Sequence, residues 1–192
     1  MDRARGRFPA MAASARMTLF ETIQTRQSIR EFQNRAVEED KLQAILSAAN
    51  HAPSAGNCQA CQIMLVRDRP LRNALAEAAL GQEFVARAPV VLVFCAALAR
   101  ATKYGERGRS LYALQDASVA AAYAQLAATA EGLGTCWVGA FDEQVVVQSL
   151  ELNPDLRPIV LLPLGYSATT PPPTPRRPLA ELVQELRSPA SG

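Results

Sequence analysis

The stretch from residue 117 to residue 130 constrains the fold of this chain most, because it has helical composition and almost no polar side. Alanine dominates it, together with valine, leucine and tyrosine, and no glycine or proline interrupts it. A helix that is apolar nearly all round is buried on most of its sides. We therefore predict a long central helix over residues 111–131, ended by Gly132 and Gly134, with other elements or a second copy packed around it.

Shorter patterns on both sides of this helix predict further helices and strands. Residues 37–50 give the clearest helix, with apolar side chains at i, i+3, i+4 and i+7 from Leu42 and an acidic first turn. Helices are expected at 18–25, 37–50, 70–79, 142–150 and 179–186, and strands at 62–66, 89–96, 135–138 and 157–164. The polar, glycine-containing residues 100–109 predict a mobile surface loop.

The segment 167–178 is rich in proline, which predicts an extended arm without internal hydrogen bonds. The short amphipathic helix that follows it cannot fold alone, so the arm must pack on this body or on that of another copy. Together with the apolar helix at 111–131, the arm predicts a homodimer with an exchanged C-terminus.

Length and charge limit the class of protein. The 192 residues suit one domain, with 49% apolar and 20% charged residues. The net charge is +2, but residues 1–16 are arginine-rich and the remainder is nearly neutral, which gives no support for a nucleic-acid partner. No apolar run is long enough to span a bilayer, so no membrane partner is expected.

These observations also predict the domain boundaries. We expect residues 1–16 to form a disordered extension, with a targeting segment as the alternative. Residues 17–187 are expected to form one domain, of which 168–187 is the arm, and residues 188–192 a disordered tail.

The cysteines and the single histidine narrow the chemistry. Four cysteines are too few for a disulfide scaffold, so a cytoplasmic protein is expected. Cys58 and Cys61 have the spacing of a redox or zinc pair, but zinc needs two further ligands and the pair precedes a strand rather than opening a helix. His51 ends a predicted helix and is interpreted as structural. No metal site is expected, and nucleophile–histidine catalysis is not favoured.

Arg26, Ser28 and Arg30 alternate with Gln27 and Ile29 in one short stretch, the 26–30 segment. In an extended backbone, a period of two places Arg26, Ser28 and Arg30 on one side. Two guanidinium groups and a hydroxyl together suit a phosphate. A solvated charged stretch between two helices is the alternative interpretation.

Two further motifs suit the same kind of ligand. Arg176 and Arg177 end the arm and would bring another arginine to a phosphate, although a basic linker is the plainer interpretation. Residues 53–59, the 53–59 loop, carry side-chain amides that reach the polar edge of a flat heterocycle, with an ordinary turn as the alternative. The glycines of 132–139 follow a helix and precede a strand, so they form no dinucleotide-binding fingerprint.

The motifs and their order resemble the nitroreductase family across nearly all of residues 17–186. The matching pieces are Arg26-Gln-Ser-Ile-Arg30, Ala52-Pro-Ser-Ala-Gly-Asn57-Cys-Gln59, Asp116 with the apolar helix, Gly132-Leu-Gly-Thr-Cys-Trp-Val-Gly139, Leu164-Gly165-Tyr166 and Arg176-Arg-Pro-Leu179. The resemblance implies an α+β fold with a central mixed β-sheet flanked by helices. It also implies a homodimer with an exchanged C-terminal arm and two FMN sites at the subunit interface.

The same resemblance implies which residues bind FMN. The phosphate and ribityl chain would be held by Arg26, Gln27, Ser28 and Arg30, with Arg176 or Arg177. The other subunit would bring to the ring Pro53, Ser54, Ala55 and Asn57. Gly139 and Ala140 would offer backbone groups near flavin N5. Gln115 is expected to approach the site, and Asp116 to cap the central helix.

The chain departs from the family pattern in two places. Ala60 and Cys61 stand where many members have a Pro-Trp or similar pair, which changes the wall of the ring pocket. The chain is also short around residues 100–109, a region that helps to cover the substrate in the family. The resemblance therefore predicts the substrate range less closely than it predicts the fold or the cofactor.

The resemblance implies an FMN-dependent NAD(P)H oxidoreductase. NADH or NADPH would pass a hydride to flavin N5, and a nitroaromatic, a quinone or a similar acceptor would then take it in a ping-pong cycle. No side chain is expected to act as a catalytic acid or base. The alternatives are specialised flavin chemistry of the same fold, such as dehalogenation, flavin fragmentation or azoline oxidation, and a non-enzymatic flavin-binding protein.

Overall fold

Four strands form the centre of the fold: β1 (Cys61–Val66), β2 (Val90–Ala97), β3 (Gly134–Thr135) and β4 (Leu156–Gly165). The computed structural model describes residues 17–186 and orders these strands β1-β2-β4-β3, with every neighbouring pair antiparallel. All four predicted strands are present. β3 is shorter than predicted because Val138 joins the sheet only through an isolated bridge with Leu161.

The sheet is less mixed than predicted. Within residues 17–186, parallel pairing is limited to one isolated bridge between Ser28 and Thr135. The 26–30 segment runs beside β3 for this single residue pair, so it forms no fifth strand. The α+β class and the nitroreductase-like arrangement of helices around a central sheet are confirmed.

Helices cover both faces of the sheet. In the described residues they are α1 (Leu19–Thr25), α2 (Glu39–Asn50), α3 (Arg69–Ala78), α4 (Phe84–Arg87), α5 (Gly105–Arg107), α6 (Ala113–Ala130), α7 (Glu143–Ser149) and α8 (Leu179–Leu182). Two 3-10 turns occupy Ala55–Asn57 and Leu98–Tyr104, and a π-helical turn occupies Gly108–Tyr112. Helix α4 was not predicted, because four residues are too few to display a helical period.

The two faces of the sheet bury two apolar cores. Leu92 and Phe94 of β2 pack with α2 and α6, whereas Val91 and Val93 pack with α3, α4 and α7. Successive residues of a strand point to opposite faces, so a strand covered on both faces is apolar at every position. This explains why β2 appears in the sequence as one continuous apolar run.

In a single chain, eight of the eighteen residues of helix α6 are buried, six are half-buried and four are exposed. Its buried residues recur three or four positions apart, from Ala113 to Ala128, whereas Ala122 and Tyr123 are exposed. The prediction that this helix is buried on most of its sides therefore holds in one chain, except along a strip that contains Ala122 and Tyr123. The helix also begins at Ala113 rather than at residue 111, because the π-helical turn precedes it.

The prediction of a surface loop at residues 100–109 is right about exposure, since residues 102–107 and Arg109 are exposed, but wrong about the backbone, which is helical. These residues belong to a run of helical turns that we call the 98–112 segment: Leu98–Tyr104, α5 and Gly108–Tyr112. The turns pack so closely that a Cβ at Gly108 would lie 2.0 Å from the carbonyl oxygen of Ala101. The polar sequence is misleading here because its side chains contact neighbouring backbone as well as solvent.

The C-terminal arm leaves the body after β4. Ser167 pairs with Phe32 in an antiparallel bridge, but every described residue from Pro172 onward is exposed. Helix α8 ends at Leu182 instead of residue 186. A short helix without an apolar partner is marginal, which accounts for the difference.

Several apolar side chains outside the core are exposed in the single chain. Leu19 and Phe20 of α1 are 62% and 75% exposed, although Thr18 and Glu21 cap this helix well. The arm exposes Leu179, Leu182, Val183 and Leu186. No helix in residues 17–186 has the length and apolarity to cross a membrane. The extension predicted at 1–16 and the tail predicted at 188–192 lie outside the described residues.

Candidate functional site

The 26–30 segment is fixed against β3 at one edge of the sheet. The N–H of Ile29 donates to the carbonyl oxygen of Thr135 at 2.9 Å, and Ser28 bridges to Thr135. Ile29 is buried and lies so close to Gly134 that a Cβ there would be 2.5 Å from Ile29 Cγ1. The alternation predicted from the sequence therefore places Ile29 inward and leaves its neighbours for the site.

Arg26, Ser28 and Arg30 gather around Cys136. Burial raises the pKa of the Cys136 thiol, while Arg30, a hydrogen bond with Ser28, and Arg26 act on this pKa in the opposite direction. The guanidinium carbon of Arg30 lies 5.9 Å from the centroid of the Phe84 ring. The structure thus brings together the three side chains that the sequence placed on one side.

The two arginines of this cluster face no carboxylate within residues 17–186. By contrast, Arg35, Arg67 and Arg157 each form an ion pair with a glutamate. Two unpaired guanidinium groups beside a hydroxyl attract an anion with several oxygens, since charge-assisted hydrogen bonds are the strong ones.

Gly139 and Ala140 continue from the same edge after Val138. The backbone N–H groups of Gly139 and Ala140 donate to no acceptor in the described part of the chain, and both residues are exposed. The carbonyl oxygen of Ala140 accepts a hydrogen bond from Gln82 Nε2 at 3.4 Å. This turn therefore presents free donors at the same edge of the sheet as the 26–30 segment.

The 53–59 loop is held by a buried carboxylate. Asp116 Oδ1 accepts the N–H of Ala55 at 2.9 Å, and Oδ2 accepts the N–H of Ala60 at 3.1 Å. The expectation that Asp116 caps the central helix is wrong, because α6 begins three residues earlier, at Ala113. From inside the helix, Asp116 instead fixes the loop that leads into β1.

The same loop carries an unusual backbone. Gly56, Asn57 and Gln59 have φ values of 50°, 55° and 51°, a left-handed conformation that is costly for residues other than glycine. Ser54 Oγ accepts the N–H of Gln59 at 2.9 Å, and Gln59 Nε2 donates to Asn57 Oδ1 at 3.0 Å. Strain of this kind concentrates at functional sites.

A small pocket of about 80 Å³ lies beside the loop, lined among others by Pro53, Gln59, Cys61 and Asp116. The pKa of Cys61 is raised to about 12 by burial and by the nearby Cys95 and Asp116. A thiol with such a pKa is protonated at neutral pH and is a poor nucleophile. Within residues 17–186, no three His, Cys, Asp or Glu side chains are grouped as metal ligands.

The arginine cluster and the 53–59 loop lie at opposite edges of the sheet in one chain. The loop leads into β1, whereas the 26–30 segment lies beside β3, and these are the two outer strands. Three strand spacings separate the edges, which is about 14 Å. The structure therefore does not bring all the predicted site residues together within a single chain.

Four other predicted site residues lie apart from the arginine cluster. Gln115 is exposed next to Asp116. Arg176 is exposed on the arm and donates to the carbonyl oxygens of Thr174 and Pro175, and Arg177 is exposed beside it. Gln27 lines a separate groove of about 270 Å³ beside Gly132, and its buried Oε1 has no donor within residues 17–186.

Some residues near the site could not be found from the sequence. Lys103 Nζ donates to the carbonyl oxygen of Gly56 at 2.6 Å, and Arg100 Nε donates to that of Cys58 at 3.1 Å. The two partners of each hydrogen bond are more than forty residues apart in sequence. No local sequence pattern could therefore predict these contacts.

Fold and site define an α+β protein with a cationic site at one sheet edge, and comparison with known proteins specifies its class. The sequence model described as "Nitroreductase family" matches residues 23–83 and 79–166. The chain is 33% identical over 186 residues to the NADH dehydrogenase of Thermus thermophilus, covering 82% of this chain and 91% of that protein. It is 30% identical over 174 residues to the FMN reductase (NAD(P)H) of Bacillus subtilis, covering 83% and 70%.

A solved structure agrees with these relatives. The NADPH:FMN oxidoreductase of Vibrio harveyi, complexed with NAD⁺, matches with a TM-score of 0.82 at 27% identity, covering 91% of this chain and 79% of that chain. The chain belongs to the nitroreductase family. The family predicted from the sequence motifs is thereby confirmed.

Proposed function

We propose that the protein is an FMN-dependent NAD(P)H oxidoreductase of the nitroreductase type. The observation that carries this proposal is the cluster of Arg26, Ser28 and Arg30, in which two guanidinium groups have no carboxylate partner within residues 17–186. Family membership and the names of the relatives, among them FMN reductase and NADPH-flavin oxidoreductase, support the same function.

The residues present fit the phosphate end of FMN. A phosphate needs several donors and positive charge, and Arg26, Arg30 and the hydroxyl of Ser28 supply both. Gln27 is their neighbour in sequence but lines a separate groove in a single chain, and Arg176 or Arg177 of the arm would add one more guanidinium group. We propose that these residues bind the cofactor and take no part in bond breaking.

The residues also fit the reactive end of the cofactor. FMN supplies hydride transfer at N5 when bound. The free N–H groups of Gly139 and Ala140 would donate to the ring and hold it in place, and preorganised donors stabilise developing negative charge. No side chain is assigned as acid or base, so the role of the chain is to bind, orient and exclude water.

We propose further that the active form is a homodimer. The two halves of the site lie on opposite sheet edges of one chain, so Pro53, Ser54, Ala55 and Asn57 of one copy would meet the arginine cluster of another, with Gln115 nearby. The exposed apolar faces of α1, α6 and the arm would be covered by the second copy. Burial of such faces is the main force in protein association.

The proposed function also includes an electron acceptor and a cellular compartment. We expect nitroaromatics, quinones or similar compounds to take the hydride from the reduced cofactor, and we assign no nucleic-acid or membrane partner. The cytoplasm is the expected compartment, because the four cysteines are unpaired and thiols persist where the environment is reducing.

The test is the absorbance spectrum of the purified protein. The expected result is a yellow protein that NADH or NADPH bleaches under anaerobic conditions and that nitroaromatics or quinones recolour. A colourless protein that takes up no added FMN would overturn the proposal. Bound flavin without rapid NAD(P)H oxidation would favour the non-enzymatic alternative, and product analysis separates the specialised flavin chemistries.

A further inference from the structure

We propose that the 98–112 segment gives the site a preference for ligands that carry an anionic group, through Lys103 and Arg107. The inference rests on the proposed function for the nature of the ligand, which would be a flat molecule stacked on the flavin. It names the chemical class of ligand that this chain would favour.

The 98–112 segment lies against the 53–59 loop. Three contacts fix it to the 53–59 loop, which is the part of the site proposed to meet the ring. Lys103 Nζ donates to Gly56 O at 2.6 Å, and Arg100 Nε donates to Cys58 O at 3.1 Å. The hydroxyl of Tyr104 lies so close to Gly56 that a Cβ there would be 2.0 Å away. Side chains of this segment therefore stand beside the ring pocket.

The 98–112 segment is strongly basic. It has four basic residues, Arg100, Lys103, Arg107 and Arg109, against one acidic residue, Glu106. None of them forms an ion pair within residues 17–186, although other arginines of the chain do. All four cations are exposed. A cluster of unpaired cations at the rim of a pocket raises the local concentration of anions.

Two aromatic rings hold the central cations in place. Tyr104 and Tyr112 meet edge to face, with centroids 5.2 Å apart. Lys103 Nζ lies 5.1 Å from the centroid of Tyr104, and the guanidinium carbon of Arg107 lies 5.5 Å from that of Tyr112. Arg107 Nε also donates to the Tyr112 hydroxyl at 3.0 Å. These contacts restrict the two cations before any ligand binds, and such restriction lowers the entropy cost of binding.

Lys103 and Arg107 both keep free hydrogen-bond donors. A lysine ammonium has three donors, and Lys103 uses one on Gly56 O. A guanidinium has five, and Arg107 uses one on Tyr112. The backbone beneath Arg107 and Tyr112 enters a π-helical turn at Gly108–Tyr112, a rare conformation that is frequent at functional sites. Both cations can thus bind carboxylate or phosphate oxygens without losing their present contacts.

Two kinds of substrate have an anionic group attached to a flat ring. One is the hydride donor, whose diphosphate is anionic, and the other is an aromatic acceptor with a carboxylate. Calorimetry of the purified protein distinguishes them with two matched pairs, 4-nitrobenzoate against 4-nitrobenzamide and NAD⁺ against nicotinamide. The variants are Lys103→Gln, Arg107→Gln and their combination. Arg69→Gln, which removes an exposed charge from α3 on the other face of the sheet, is the control.

The expected result is a loss of affinity of about tenfold in the double variant for the anionic member of at least one pair. The neutral member should change by less than about twofold, the control should match the wild type, and the affected pair identifies the source of the anion. Equal changes for both members of each pair, or no change, would overturn the inference.

The two proposals fail separately in this design, because calorimetry detects binding whether or not flavin is bound. A yellow, active protein without a charge-dependent preference refutes the role of Lys103 and Arg107 alone. A colourless protein that still prefers 4-nitrobenzoate in a Lys103-dependent way refutes the proposed function and supports the anion site.

Discussion

At the scale of single residues, the candidate site is fixed by groups whose partners are distant in sequence. Asp116 is the clearest case: it is 5% exposed, and both carboxylate oxygens accept backbone N–H groups of the 53–59 loop. Hydrogen bonds to a charged acceptor are stronger than neutral ones. One carboxylate in α6 therefore determines the path of the loop that leads into β1.

Replacing Asp116 by asparagine should destabilise this loop. The asparagine amide offers one oxygen and one NH₂ group, so either Ala55 N–H or Ala60 N–H would face a donor and lose its acceptor. We expect the free energy of unfolding to fall by about 1–3 kcal/mol, the cost of a buried unsatisfied polar group, as measured by urea denaturation. Asp40→Asn on the exposed side of α2 is the matched control and should stay near the wild type. An Asp116→Asn protein as stable as the wild type would contradict the assignment.

Arg30→Ala should weaken FMN binding. The variant removes one of the two unpaired guanidinium groups beside Ser28, and a charge-assisted contact contributes about 1.5–3 kcal/mol. This corresponds to a loss of affinity of at least about tenfold, which flavin fluorescence titration would measure. Arg67→Ala removes an exposed arginine that is paired with Glu39 and should leave the affinity unchanged. Equal affinities of the wild type and the Arg30 variant would remove the support for a phosphate site.

At the scale of elements, side-chain contacts tie the end of β4 to the start of α2. The Tyr166 hydroxyl donates to Glu38 Oε2 at 2.7 Å, and Arg35 Nη2 donates to Glu38 Oε1 at 2.7 Å. The Arg35 guanidinium also stacks on the Tyr166 ring, 3.8 Å from its centroid. Glu38 thereby joins the loop after the 26–30 segment, the residue that follows β4 and the start of the helix that covers the sheet.

This junction should make stability depend on pH. The Tyr166 hydroxyl foremost, with the Glu38 backbone and Arg35, lowers the pKa of Glu38 from 4.5 to about 2. A carboxylate whose pKa is lower in the folded state stabilises the fold above its unfolded pKa, and this stabilisation is lost as the pH falls from about 4.5 towards 2. Because Glu38 is exposed, solvent screening keeps the effect small.

The measurement is the difference in melting temperature between the wild type and Glu38→Gln as a function of pH. We expect a positive difference at neutral pH that shrinks below pH ~4.5, and the same behaviour for Tyr166→Phe. Glu77→Gln, an exposed glutamate of α3, serves as control. A difference that does not vary with pH would show that Glu38 contributes no such linkage.

The sequence predicts elements whose signal is local. Residues 37–50 show a helical period and β2 is one apolar run, so both were located to within one or two residues. The alternation of the 26–30 segment likewise predicted which side chains share a side. In these cases the information lies within a single stretch of chain.

Prediction from the sequence fails where contacts between residues distant in sequence determine the local structure. The 98–112 segment has the composition of a loop, yet contacts of Lys103 and Arg100 with the 55–58 backbone fix it as helical turns. Asp116 has the sequence position of a helix cap, but its acceptor oxygens are used 56 and 61 residues away. Such pairings depend on the packed fold and leave no periodic trace.

At the scale of the whole molecule, one chain contains two incomplete halves of a site and several uncovered apolar faces. β1 and β3 form opposite edges of the sheet, each carrying one group of the predicted cofactor-binding residues. Helix α1, the Tyr123 side of α6 and the arm all expose large apolar side chains. A symmetric pair of chains would bury these faces and complete two sites at once.

The arm gives the most direct test of this arrangement. Leu179 and Leu182 are 71% and 59% exposed in the single chain, so their replacement by serine should cost the monomer little. If the arm packs on a second copy, Leu179→Ser with Leu182→Ser removes apolar area from the interface at about 25 cal/mol per Å². We expect the dimer dissociation constant to rise by at least about tenfold, measured by sedimentation over a range of protein concentrations. Removal of residues 171–192 should have a larger effect.

Glu181 lies between the two leucines. The variant Glu181→Gln is the matched control, because it changes the charge of α8 and not its apolar side. Flavin content should fall together with the dimer in the leucine variant, since each site would draw residues from both copies. A wild-type protein that sediments as a monomer would refute the two-copy site. An intact dimer in both the leucine variant and the truncated protein would refute the exchanged arm, while leaving open an interface made by α1 and α6 alone.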